Sequence, residues 1–472
     1  MADLFQPTEG LGRGGSLRVR FAVWLVIKHS DPVPTESGLP NHLRPIKMTS
    51  ELARYQTSNG VLPAEALQQA IEEGWITGGD YKVPPENVQP ASIDLRLGSM
   101  AYRLRSSFLP GKRRVKDVLA DNQMGPPIDL RDGAILEKNR PYLIPLIEHI
   151  HLPPWARAHA NPKSSTGRID VFTRIICDGS SGFDQIPQGH SGFLFLEIIS
   201  RSFTIHVREK LSLNQLRLIV GNPKPGNDIL LGEHTKTPLL YSYDAEGRNA
   251  RACPWEELAA SEGIFLRVDL LGDNQKIVGY KAKKNSMLLD LTKVGSHRIE
   301  DFWDLVGSDE QNRLILEPEE FYILNSLEGV SIPPDFAGEM TAYDPTNGEL
   351  RTHYAGFFDP GFGYAPDEGI NGSRAVLEVR AHDVPFALEH RQRIARLEIE
   401  RMAARPGKLY GISIGSSYQN QRLQLSKFFK PPTPRQEGQL SLLSDRERRP
   451  AGTALRSKMT LGFSQPSERR LV

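Results

Sequence analysis

Cysteine is nearly absent: Cys177 and Cys253 are the two thiols in 472 residues. A disulfide scaffold is thereby excluded, and the thiol content fits a reducing cytoplasm, where the protein is expected to work. Metal-ligand spacing is lacking as well. There is no closely spaced Cys pair, no His-x-Glu and no His-Glu-x-x-His, the arrangements a zinc deaminase or zinc hydrolase requires. A Walker loop, a dinucleotide fingerprint and a Gly-x-Ser-x-Gly elbow are missing too. No apolar run approaches a membrane span; Phe21 to Ile27 is too short, and no small-residue cleavage pattern follows it. Nor is there an excess of charge, with 58 Lys and Arg against 57 Asp and Glu. Nothing in that balance suggests a nucleic-acid or membrane-surface partner.

What is present is organised as short apolar runs broken by Pro and Gly. Residues 1–47 carry no sustained period and are expected to be a poorly ordered extension, with Met48 as an alternative start. Leu62, Ala66, Ala70 and Ile71 then fall on one helical face, closed by Gly74. In Gln89 to Gly98, Ile93, Leu95 and Leu97 alternate with polar residues and predict a half-buried strand. Strand-like runs continue to about residue 220 with hardly any helix. The pattern predicts an all-β chain with a few short helices, of sandwich or jelly-roll type.

The chain also repeats itself. Residues 136–154 match 316–334 at a constant offset of 180, which sets Tyr142 over Tyr322, Glu148 over Glu328 and Pro153-Pro154 over Pro333-Pro334. Leu196-Glu197 likewise meets Leu377-Glu378, and Ile93-Asp94-Leu95 resembles Val268-Asp269-Leu270. Two tandem copies of one β domain follow, over 48–245 and 246–427, with a Pro-, Arg- and Ser-rich tail over 428–472.

Chemistry has few places to reside. Lys163-Ser164-Ser165-Thr166-Gly167-Arg168 offers charges, hydroxyls and a close backbone approach to one compact anion, in a loop or short turn at the mouth of a sheet. Glu197 and Glu378 each follow an apolar strand run and can point either outward or into a cleft, where a raised pKa would suit proton transfer. Tyr354 to Gly363 reads as a hairpin with Asp359-Pro360-Gly361 as its turn.

Taken together, Gln89 to Gly98, Lys163 to Arg168, Ala355 to Phe362 and Val376-Leu377-Glu378 resemble the dCTP deaminase branch of the dUTPase-like family. Tyr410 and Ser417-Tyr418-Gln419-Asn420-Gln421 are similar to its closing segment. The resemblance implies tandem dUTPase-like β-barrel domains and hydrolytic deamination of dCTP to dUTP in deoxynucleotide metabolism. It implies no resident metal and no zinc, with Mg²⁺ carried on the substrate triphosphate. The implied partners are dCTP and other deoxynucleotides, and further copies of the chain in a homo-oligomer with sites between neighbouring units. In that scheme a Glu moves protons between water and leaving ammonia while Ser164 and Arg168 steady the reacting centre. Lys163 and Ser165 would hold phosphates; Ala355, Asp359, Gly361, Tyr410, Tyr418 and Gln421 would bind the rest of the nucleotide.

Each copy departs from that pattern differently. The first keeps the Ser-Ser-x-x-Arg loop but has Pro187-Gln188-Gly189 where Asp-Pro-Gly belongs, after an insertion near Cys177 to Gln185. The second keeps Asp359-Pro360-Gly361 and the closing segment, but sets Asp344, Pro345 and Gly348 opposite Ser164, Ser165 and Arg168, and has an insertion at Tyr364 to Asn371. The expected site is therefore composite, one per chain, with the first copy's loop facing Glu378, and Glu197 mattering less. A dUTP pyrophosphatase, a bifunctional enzyme releasing pyrophosphate, and a nucleotide-binding regulator without turnover remain open readings at this level.

Overall fold

The computed structural model describes residues 50–244, 250–258, 263–272, 276–342, 350–352, 356–411, 415–416, 418–419 and 423–431. The expected extension 1–47, most of the tail, Asp344, Pro345, Gly348, Ala355, Ser417, Asn420 and Gln421 lie outside the described residues.

The chain is mainly β. In the first copy, Ser212–Val220 runs antiparallel to Ala156–Pro162, Ile93–Arg96 and Gly60–Val61, and Gln185–Ile186 continues beyond Ala156–Pro162. A second sheet centres on Pro141–His151 and Ser191–Ser200, flanked by Val171–Cys177. The second copy rebuilds both. Phe336–Ala342 pairs with Arg393–Arg401 and Gly356–Phe358, while Phe321–Val330 pairs with Ser373–Ala381. Local chemistry repeats with the topology. Tyr142 Oη accepts a hydrogen bond from Glu137 N (3.1 Å), as Tyr322 Oη does from Glu317 N (3.0 Å). Buried Glu148 accepts from Arg96 N and Nε, as Glu328 does from Arg267. Deleting one partner of such a buried pair strands a charge, at a cost of about 3–5 kcal/mol.

Those pairs correct the alignment of the copies at one point. Ile93 sits opposite Leu216 and Ile264 opposite Leu397, so Ile264–Arg267, rather than Val268 to Leu270, is the counterpart of Ile93–Arg96. The residue equivalent to Asp94 is thus Phe265. The apparent Val-Asp-Leu match is one of composition, four residues out of register. The strand Ile93–Arg96 is also buried throughout instead of half-buried. Its two polar residues are tolerated because Asp94 meets Lys163 and Arg96 meets Glu148.

The helix Ala64–Glu72 buries Ala64, Ala66, Leu67 and Ala70, and Gly74 (φ 81°) turns the chain out of it. Alternation did not signal the helix Val115–Asn122, whose buried residues are Val115 and Leu119. The copies also interlock more than a tandem pattern suggests. Asn227–Lys236 and Leu240–Tyr243 pack with the second core through Leu230, Leu239 and Leu240. Conversely Phe302, Trp303, Phe321, Ile323, Val376, Phe428 and Phe429 of the later chain enter the first core. Phe428 and Phe429, assigned from sequence to the tail, are buried. Strand Ile205–Val207 pairs parallel with Leu289–Asp290 across the junction.

Candidate active site

Strand Ala156–Pro162 delivers the loop. Lys163 N bonds Leu213 O (3.0 Å), and Ser164–Gly167 closes a single helical turn, a tighter form than the expected loop. Asp170, with φ 58°, then reverses the chain into Val171–Cys177. The turn lies against the second copy. Pro162, Lys163, Ser164, Gly167 and Arg168 line one pocket together with Met340, Gly356 to Asp359, Phe362, Val376, Glu378, Tyr410 and Tyr418. One chain therefore contributes both halves of it.

Glu378 occupies the centre of Ser373–Ala381, opposite Ile323. Its carboxyl is shut off from bulk water, and burial pushes its pKa up to about 8; Arg168 acts in the opposite direction, and Asp170 adds a like charge. Gly167 explains how the acid fits. A Cβ placed there would lie 2.5 Å from Glu378 Oε2, so any larger residue would push the carboxyl away from the turn. The expected role of this glycine, backbone approach to an anion, is thus joined by a second that alternation and spacing do not reveal.

Arg168 is buried, and loss of hydration lowers its pKa. Its guanidinium stacks 3.7 Å from the centre of the Tyr418 ring and Nη1 donates to Gln424 O (2.9 Å). Ser165 points its carbonyl to Ser426 Oγ (2.6 Å), so the C-terminal segment is stapled over the turn. Tyr410 Oη accepts from Tyr418 N (3.1 Å), and burial raises the Tyr410 phenol well above its usual range. Lys163 is paired with Asp94, an acid supplied by the strand Ile93–Arg96 and not anticipated as a partner.

The opposite wall is the hairpin. Phe362 N returns to Asp359 O (3.0 Å), and Gly361, with φ 98°, leaves Pro360 O free to accept Tyr410 N (2.8 Å). Gln419 clamps the same turn, accepting from Gly363 N and donating to Gly361 O. Asp359 is buried, which raises its pKa, with Arg217 opposing. The insertion at Tyr364 to Asn371 folds as its own two-stranded hairpin, Tyr364–Ala365 with Ile370–Asn371.

Of the residues singled out from sequence, Lys163, Ser164, Arg168, Asp359, Glu378, Tyr410 and Tyr418 meet at this pocket, Ser165 and Gly361 support it, and Glu197 lies elsewhere. Ala355 and Gln421 are outside the described residues. Glu197 pairs across its sheet with Leu143 and Arg174, and Arg174 Nη1 is 3.8 Å from its carboxylate. Sequence reasoning missed Met340, Phe357 and Arg217; strand periodicity marks the first two as apolar only, and nothing local marks the third. Among the described residues no group of three or more His, Cys, Asp or Glu side chains is arranged to hold a metal ion.

Two family models match the chain. The 2'-deoxycytidine 5'-triphosphate deaminase N-terminal domain covers residues 58–222 and the C-terminal domain residues 245–429. The crystal structure of 2'-deoxycytidine 5'-triphosphate deaminase from Agrobacterium tumefaciens superposes with a TM-score of 0.67 at 43% identity, over 74% of this chain and 99% of that one. A dCTP deaminase, dUMP-forming, from Corynebacterium kroppenstedtii is 35% identical over 127 residues, 26% of this chain and 63% of that protein. One of the same description from Rhodococcus opacus is 31% identical over 130 residues, 27% of this chain and 65% of that protein. The chain thus spans under two thirds of the length of these curated relatives. The match along nearly the whole of the Agrobacterium enzyme, with both domain models in order, shows that the chain belongs to the dCTP deaminase family.

Proposed function

We propose that this pocket deaminates dCTP hydrolytically, giving dUTP and ammonia. The observation that carries the reading is the Glu378 carboxyl, buried and set against Gly167 and Arg168 of the other copy in one pocket. As carboxylate it takes a proton from water. The resulting hydroxide adds to the amino-bearing ring carbon as the new carboxylic acid protonates the adjacent ring nitrogen; the carboxylate then takes the remaining proton of the added hydroxyl and passes it to the departing nitrogen, so the carbonyl forms as ammonia leaves and the group ends as it began. Arg168, held by Tyr418 and Gln424 O, offers a fixed charge toward the oxygen that develops. Ser164 stands with Arg168 at the reacting centre, Lys163 meets the phosphates, and the substrate arrives as its Mg²⁺ complex, with no zinc taking part. The enzyme is read as a cytoplasmic homo-oligomer, tested by light scattering of the purified chain.

The names of the curated relatives, dUMP-forming, favour a second reading in which pyrophosphate is released as well. Product analysis of a dCTP digest separates the two. Ammonia with dUTP supports deamination alone, ammonia with dUMP and pyrophosphate supports the bifunctional form, and absence of ammonia overturns both. Mild zinc chelation is expected to leave turnover intact; loss restored by zinc and not by magnesium would overturn the metal assignment.

A further inference from the structure

Arg217 lies in the middle of Ser212–Val220, in the first copy, and has no exposed surface. Its guanidinium makes its contacts with the second copy. Nη1 donates to Gly338 O (3.0 Å) and Glu400 Oε2 (2.8 Å), and Nη2 to Phe358 O (3.0 Å) and Asp359 Oδ1 (3.4 Å). The guanidinium plane covers the Phe357 ring at 3.9 Å. Phe357, Phe358 and Asp359 are consecutive lining residues of the pocket.

The register shows that this arginine is not part of the common design of the copies. Arg217 sits opposite His159 in the first copy, and the equivalent pair in the second is Glu398 opposite Glu339. Arg217 and Glu398 therefore carry opposite charges at equivalent positions, and the facing pair meets across the junction: His159 Nε2 lies 2.9 Å from Glu339 Oε1. An isolated copy has no use for a buried cation here, since burying an unpaired charge is costly.

We propose that Arg217 is a positioning residue of the pocket: from the first copy it fixes the wall formed by Phe357, Phe358 and Asp359 and presents the Asp359 carboxylate to the nucleotide as a hydrogen-bond acceptor. The inference rests on the reading of the pocket as a dCTP site. The groups facing Asp359 are few. Arg217 and Lys408 oppose the effect of burial and favour its ionised form, Asp94 disfavours it, Tyr410 lies beside it, and Glu400 shares the arginine. Without the guanidinium, Asp359 binds a proton at a higher pH and becomes a donor where the ligand needs an acceptor.

Steady-state kinetics on the full chain test this. With Arg217→Met, KM for dCTP is expected to rise about tenfold or more at pH 7, the loss of one hydrogen bond to a charged group, with kcat within about threefold. KM should recover as pH rises and Asp359 ionises, and Arg217→Met/Asp359→Asn should lose that recovery. A KM for Arg217→Met within about twofold of the unaltered chain, or a raised KM with no dependence on pH, overturns the inference. If melting shows that Arg217→Met does not fold, Arg217→Lys takes its place. It keeps the charge but not the fork, so KM should rise several-fold with an unchanged pH profile, and an unchanged KM overturns the proposal. An unaltered chain that neither binds nor deaminates dCTP removes the functional reading itself, a result distinguishable from either.

Discussion

Glu197 and Glu378 stand at one position of one sheet, built twice. Each is paired across the sheet with the equivalent apolar residue, Leu143 in the first copy and Ile323 in the second. What differs is the cover. The face carrying Glu378 is closed by the other copy: Ile323 and Val376 join the first core, Arg380 pairs with Asp170, and the turn Ser164–Gly167 leaves a pocket above the acid. The face carrying Glu197 is closed by its own copy. Val115 and Leu119 of the helix Val115–Asn122 pack with Leu143, Ile176 and Phe195, and Arg174 lies between the rings of Phe172 and Phe183. Burial raises both carboxyl pKa values, so a perturbed acid alone does not identify a site. The loop and the cavity opposite it make the difference.

The comparison is broken most directly by removing the acids in turn. Glu378→Gln keeps size and hydrogen bonding but cannot accept a proton, so turnover should fall by about 10²-fold or more while dCTP binding survives. Full activity in that variant, with loss in Glu197→Gln, would transfer the site to the first copy. Gly167→Ala forces the turn and the Glu378 carboxyl apart, and kcat should fall by about 10- to 100-fold with a smaller change in KM. A kcat equal to that of the unaltered chain would show that the contact is not maintained during catalysis.

The pH dependence sharpens it further. If ionised Glu378 is the base, kcat/KM should climb with pH to a midpoint near 8, the value burial imposes on that carboxyl, and Glu378→Gln should lose this limb. Stability runs the other way. A carboxyl whose folded pKa exceeds its unfolded one stabilises the protein fully below the unfolded value, and this is lost as pH rises through the folded value. Glu378→Gln should therefore melt above the unaltered chain by a gap that vanishes in acid, opens as pH rises from the ordinary carboxylate range and levels off above about 8. A constant gap would mean that the carboxyl does not titrate in the fold. At the small end, Glu197→Gln should change kcat/KM by less than about threefold, and a chain cut to residues 48–430 should behave likewise, since it keeps Phe428 and Phe429. A tenfold loss on truncation would place one removed end in the site.

Part of this was legible in one dimension. The 180-residue repeat carries Tyr142 and Tyr322, and Glu148 and Glu328, into matching contacts, because a hydroxyl or carboxylate buried at the same sheet position needs the same backbone partner. The Lys163 to Arg168 run declares itself by residue type alone. The strand register also puts Pro187-Gln188-Gly189 at the place of Asp359-Pro360-Gly361: Ile186 pairs with Ala158 as Phe358 pairs with Gly338. Where the sequence misled, spacing was the cause. Val268-Asp269-Leu270 matched Ile93-Asp94-Leu95 in composition, but a strand's partners are set by its register, which composition does not record.

Sequence by itself determined that the chain is two β copies, which residue types carry charge and hydroxyls, and that loop and hairpin survive in different copies. Those properties follow from local spacing and from the period of two along a strand. Only the tertiary structure decided which acid faces the loop, that Gly167 lies directly against that carboxyl, and that Arg217 reaches across to hold the opposite wall. Such relations join residues up to 211 positions apart, as Gly167 and Glu378 are. Their energies depend on burial and on a cation or a vacancy supplied by the other copy, quantities that no stretch of neighbouring residues contains.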